Sequence, residues 1–226
     1  MGSPTPTSAK SAAGAIGLSV TCLNCGSKTN EPVRFCPTCQ EDLGFPNVRT
    51  ALAQDEVTAL ASRLEAARKN AISRGVRAEF DSLLAELSSA SHVVVATPPL
   101  YARSFLSDPR QIYATYEKLV GSGSRSPSRM ENDADRRAVG GKLFGSFAEE
   151  IRYGVLSLDG TSLPNYGLVF LRLRSVAIAH RVSFLDENSY VFVNQHKLKV
   201  RDNLPAGYRS DWRTAANWLP RKWNRR

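Results

Sequence analysis

All four cysteines of the chain fall within eighteen residues, as Cys22-Leu-Asn-Cys25, ten intervening residues, then Cys36-Pro-Thr-Cys39. No other feature restricts the fold as much. A C-x-x-C turn aims two sulfurs and the neighbouring backbone N–H groups at one point, so two such turns complete a tetrahedral four-thiolate site. Gly26 supplies permissive backbone after the second sulfur, and Pro37 stiffens the other turn. The expected occupant is one Zn2+ held by Cys22, Cys25, Cys36 and Cys39. The set contains no His, Asp or open position, so the ion is expected to be structural. The alternative of two disulfides needs an oxidising compartment. Against it, the first twenty residues carry one basic residue, Lys10, and lack the basic and apolar regions of a secretory signal, so the expected location is cytoplasmic. A redox-active C-x-x-C pair is a further alternative, but that motif normally comes singly.

Over residues 22–43 the chain resembles the zinc ribbons, in which two knuckles on a small β-hairpin hold one structural zinc. Gln40 departs from that pattern, standing where a glycine often follows the last ligand. The segment from Ser27 to Phe35 carries only Lys28 and Arg34 against Glu31, which is poor for phosphate binding. Protein docking or folding is an equally good role, since so small a module needs a staple.

Around the cysteines, composition marks five segments: a tail over 1–19, the ribbon over 20–45, a helical connector over 46–90, an α+β domain over 91–219 and a basic tail over 220–226. Residues 1–19 are dominated by Ser, Thr, Pro, Gly and Ala, which bury too little apolar surface to offset ordering entropy. Val48 to Ser73 lacks Gly and Pro and reads as one long helix with Val57, Leu60, Leu64, Ala67 and Ala71 on a stripe. Val76, Phe80, Leu83 and Leu87 restart the stripe out of phase, which predicts a break at Gly75. His92 to Ala96 reads as a buried strand closed by Thr97-Pro98-Pro99. Helices are expected from about Pro109 to Leu119, with Asp108 as N-cap, and from Asp133 to Ile151, with a Gly/Ser loop between them over Gly121 to Pro127. Strands are expected over Tyr153 to Leu158, Gly167 to Leu173 and Tyr190 to Val193. Helices first and strands later give an α+β fold. The longest apolar runs are far shorter than a membrane span.

The formal net charge is +9. Residues 197–226 hold nine basic and two acidic residues, a net +7, together with Trp212, Trp218 and Trp223. Cations interleaved with aromatics suit nucleic acid or a nucleotide, because Lys and Arg displace counterions and aromatic faces stack on bases. Tyr208, Arg209, Arg213 and Arg174 are the candidate ligand contacts. The competing reading places Trp212, Ala216 and Leu219 on one helix packed against the domain, ended by Pro220.

A second cluster comprises Arg172, Arg174, His180, Arg181, Ser183, Asp186, Glu187 and Asn188. Strand alternation puts Arg172 and Arg174 on one face, where two guanidiniums grip phosphate or carboxylate. His180, Arg181 and Glu187 are candidate catalytic groups for proton transfer or orientation beside Arg172. Arg172, Ser183 and Glu187 loosely resemble the arginine, serine and glutamate of ADP-ribosyltransferases, with an incomplete serine motif and compressed spacing. Nucleotide-binding, metalloprotease and hydrolase signatures are absent. The leading expectation is a bacterial-style intracellular zinc protein that binds nucleic acid or a phosphorylated ligand. The alternatives are an enzyme acting on nucleotide or nucleic acid, ADP-ribosyltransferase-like or nuclease-like, and a protein-interaction adaptor using the ribbon or the helices.

Overall fold

The structure is a computed structural model and describes residues 19–107, 115, 118, 132–199 and 202–218. The expected helix from Pro109 apart from Thr115 and Lys118, the Gly/Ser loop, nearly all of the N-terminal tail, Leu219, Trp223 and the basic tail lie outside the described residues.

The fold is α+β. The cysteine segment forms a hairpin of β1 (Val20–Thr21) and β2 (Lys28–Thr29), paired antiparallel. Three helices follow: α1 (Pro46–Ala51), α2 (Gln54–Ser73) and α3 (Arg77–Ala90). Next come β3 (His92–Thr97), α4 (Pro99–Ser107) and α5 (Asn132–Phe144), the last running into a 3-10 stretch over Gly145–Glu150. The remainder comprises β4 (Val155–Ser157), β5 (Val169–Arg172), α6 (Ser175–Ile178), β6 (Ser183–Leu185), α7 (Ser189–Gln195), β7 (Arg209–Asp211) and a 3-10 turn over Ala215–Trp218.

The valine run becomes the middle strand of the antiparallel sheet β4-β3-β5, with Val94 opposite both Val155 and Arg172. Val93, Val94 and Val95 are all buried, as a strand covered on both faces requires. Strands β6 and β7 form a second antiparallel pair, with Phe184 opposite Ser210. One core joins the two sheets through Val93, Ile178, Phe184 and Ala215, with Leu156, Leu173, Val182 and Trp212 packed around them. Another gathers Val139 and Leu143 of α5 with Phe192, Val193 and Leu198. Helix α2 packs against α3, β7 and the Ala215–Trp218 turn, so residues 46–90 form a layer of the body.

The break at Gly75 is present. The Gly75 N–H donates to the Ile72 carbonyl and the Val76 N–H to the Ala71 carbonyl, a Schellman termination of α2. Phe80 then folds back onto Ala67 and Ala71.

Several local expectations are corrected. The helix expected from Val48 to Ser73 is broken at Leu52 and Ala53, although neither Gly nor Pro stands there. Tertiary anchoring at Asn47, Arg49 and Glu56 overrides the continuous propensity. Tyr190 to Val193 lies within α7 and is not a strand: the Asn188 side chain accepts the Tyr190 and Val191 N–H groups, and burial falls on adjacent Phe192 and Val193. The helix expected to reach Ile151 ends at Phe144 in favour of the 3-10 stretch. Trp212 and Ala216 do not share a regular helix, because β7 runs to Asp211 and its carboxylate caps the Thr214 N–H. Pro98-Pro99 does not only close β3: Pro99 opens α4, since a proline suits the first helical position. No helix among the described residues is long and apolar enough to cross a membrane.

Candidate functional site

The four cysteine sulfurs lie within 4.8 Å of one another. Cys22 Sγ is 3.5 Å from Cys39 Sγ, and Cys25 Sγ is 3.7 Å from Cys36 Sγ. Four sulfurs each about 2.3 Å from a tetrahedral ion stand about 3.8 Å apart, so the cluster already has the size of a metal-thiolate centre. The two knuckles match. The Gly26 N–H donates to the Cys22 carbonyl and the Gln40 N–H to the Cys36 carbonyl. Gly26 has φ 71° and Gln40 has φ 63°, so Gln40 adopts the left-handed conformation that a glycine accepts without strain. The ligand geometry survives the departure at Gln40.

Ser27 completes the surroundings, its Oγ 3.1 Å from Cys25 Sγ and 3.2 Å from Cys36 Sγ. The Ser27 hydroxyl, then the Cys39 and Thr38 N–H groups, hold the Cys36 thiol down at about 6. Ser27 lowers Cys25 as well, through its hydroxyl and its N–H. At Cys39 the Glu41 N–H pulls downward, yet burial and hydrogen bonds shared with Cys25, Cys22 and Cys36 outweigh it and raise the thiol to about 11. The first thiolate therefore forms readily and the last resists, as expected for four sulfurs crowded without a cation. A dication removes that resistance and displaces the remaining protons.

The cysteine module is docked on the body. Arg49, on α1, donates to the carbonyls of Val33, Leu43 and Gly44, and burial pushes its pKa down, partly offset by Asp42. Arg34 pairs with Asp42 at 2.8 Å and lies over the rings of Phe35 and Phe45, 4.8 and 4.4 Å from their centroids. On the other side of α1, Asn47 Nδ2 donates to the Arg181 carbonyl at 3.1 Å and to Ser183 Oγ at 2.9 Å.

The polar cluster divides. Arg172 ends β5 and Arg174 precedes α6, both exposed, while Leu173 between them packs inward. His180 and Arg181 are exposed in the turn between α6 and β6, and the His180 ring meets Phe45 edge-on at 5.7 Å. Arg213 is exposed next to Trp212. Leu173, Val182 and Trp212 pack against one core, and the exposed Arg172, Arg174, Arg181 and Arg213 are their neighbours in sequence. Glu187 sits on the loop entering α7, its carboxylate accepting the Asn188 N–H.

Tyr208 and Arg209 face inward. Arg209 Nη2 is 2.8 Å from Glu56 Oε2, and the Tyr208 and Arg209 N–H groups both donate to Glu56 Oε1. Arg63 reaches Asp186 at 2.7 Å, donates to the Gly207 carbonyl and lies over the Tyr208 ring at 4.1 Å. Glu56 and Arg63 escaped the reading of the sequence, although both lie at helical spacing with Leu60, Ala67 and Ala71 and so on the buried stripe of α2.

Comparison with protein-family models, curated proteins and solved structures returns no match to any of them.

Proposed function

We propose that this chain is a zinc-stapled binding protein, with Zn2+ on the four cysteines and a nucleic acid on the basic face formed by Arg172, Arg174, Arg181 and Arg213. Zinc is preferred among thiophilic ions because an all-thiolate tetrahedral set suits its geometry without redox chemistry. The observation that carries the nucleic-acid reading is a gap in the acidic residues. Between Asp159 and Asp186 the chain has none, yet three arginines and His180 fall there. The three arginines are exposed, as is Arg213, whose neighbour Trp212 packs against the same core as Leu173 and Val182. Three guanidiniums with no carboxylate between them in sequence, joined by that of Arg213, would neutralise phosphates and release counterions.

Fluorescence anisotropy of a mixed-sequence single-stranded oligonucleotide, titrated at stepped salt, tests this. Log affinity is expected to fall linearly with log salt, and each of Arg174→Ala, Arg181→Ala and Arg213→Ala should reduce that slope by about one unit. Binding that ignores salt, or is unchanged in all three variants, contradicts the reading.

A further inference from the structure

We infer that metal loading at the four cysteines sets the position of the basic turn His180–Ser183, so that the ion regulates ligand affinity at a face it does not touch; the affinity half rests on the nucleic-acid reading above. Two physical routes run from the sulfurs to this turn, one through Phe45 at the N-cap of α1 and one through α1 itself. The first starts at the second knuckle. Phe35 and Asp42, which flank Cys36 and Cys39, form a bridge, and the Leu43 N–H donates to the Arg34 carbonyl. Arg34, fixed by Asp42, lies over Phe45, and Phe45 meets the His180 ring. The second route uses main-chain carbonyls. Val33, Leu43 and Gly44 hold the Arg49 guanidinium, and two residues earlier, on the opposite side of α1, Asn47 holds the Arg181 carbonyl and Ser183 Oγ.

Helix α1 is therefore a six-residue strut with the cysteine module at one side and the basic turn at the other. So short a helix has little stability of its own and depends on its tertiary anchors. The carbonyls that hold Arg49 belong to a hairpin too small to fold without its ion. Removing the ion frees Val33, Leu43 and Gly44, which releases Arg49, loosens α1 and leaves Asn47 without a fixed donor position toward Arg181. The rest of the body is anchored elsewhere, since α2 and α3 close on Ala67, Ala71 and Phe80. The coupling is thus a local ordering equilibrium biased by the ion.

Hydrogen exchange of the full chain, loaded with zinc or stripped by chelator under reductant, tests it together with anisotropy of a mixed-sequence single-stranded oligonucleotide. Stripping is expected to speed exchange over 45–51 and 180–183 by more than tenfold while α2 and α3 stay protected, and to weaken the oligonucleotide by about tenfold. Asn47→Ala should reproduce both effects at 180–183 with zinc still bound, and zinc affinity should be unchanged. Unaltered exchange at 180–183 on stripping, or a loss of protection spread through α2 and α3, overturns the inference. Exchange that responds as expected without oligonucleotide binding in either state upholds the ordering and overturns the nucleic-acid reading alone. Equal binding in both states, with exchange responding, overturns the regulatory half.

Discussion

Arg209, in the most cationic stretch of the chain, turns its guanidinium inward to Glu56, 2.8 Å away across 153 positions of sequence. The carboxylate is fully buried and also accepts two backbone N–H groups at the start of β7. It therefore differs from an ordinary buried ion pair. Replacing both charged partners with apolar groups is often nearly neutral elsewhere, but here two main-chain donors would remain unpaired.

Glu56→Leu is accordingly expected to cost about 3–5 kcal/mol, with little recovery in the Glu56→Leu, Arg209→Leu double variant. Glu56→Gln, which keeps an oxygen for the N–H groups, should lose clearly less. Urea unfolding of the zinc-loaded chain measures the order, and full recovery in the double variant would contradict it.

At the second knuckle, Gln40 holds a left-handed φ of 63°. Gln40→Gly should therefore stabilise the loaded protein by about 1 kcal/mol, whereas Gly26→Ala, at φ 71°, should destabilise it by a similar amount. Thermal unfolding with zinc in excess distinguishes the two signs.

Gly207 has φ 86°, and a Cβ there would lie 2.9 Å from Ala59 Cβ and 3.0 Å from its carbonyl carbon. Gly207→Ala should cost about 2–3 kcal/mol through combined steric and dihedral strain, and should loosen the contact of α2 with β7. Denaturant titration reads the loss.

Asp159 accepts the Thr161 N–H and the hydroxyls of Ser157 and Thr161, and these bonds hold its pKa down at about 2. An unfolded aspartate titrates near 3.9. The folded state thus binds the proton less readily, so the contribution of Asp159 is complete above pH of about 4 and disappears as pH falls to about 2. Asp159→Asn should lower stability at neutral pH and flatten the acid limb of the stability curve, as urea titrations at stepped pH would reveal.

The parts of the fold that the sequence exposes are those fixed by local rules. Cysteine spacing predicts the sulfur cluster, the phase jump at Gly75 predicts the turn between α2 and α3, and three consecutive valines predict a strand covered on both faces. What stays hidden is decided at a distance. The break at Leu52 follows from Asn47 reaching a turn more than 130 residues away. Helix α7 overrides a β-prone run because Asn188 caps it and the core takes Phe192 and Val193 together. The charge count shows where cations sit in sequence but not which face inward: Arg209 points to Glu56 while Arg213 remains exposed. Glu56 and Arg63 carried a signal in their stripe positions, but Tyr208 and Asp186 lie too far along the chain for pattern alone to pair them.

A four-thiolate ion is the premise of the proposed function, and cobalt substitution tests it most directly. Reductively purified chain, stripped and titrated with Co2+ under strict exclusion of oxygen, should bind one equivalent with the visible bands of tetrahedral cobalt and thiolate charge transfer. Added Zn2+ should bleach those bands stoichiometrically, and Cys22→Ser should abolish or shift them. Absence of a one-to-one endpoint, or spectra unchanged in Cys22→Ser, would contradict the central claim.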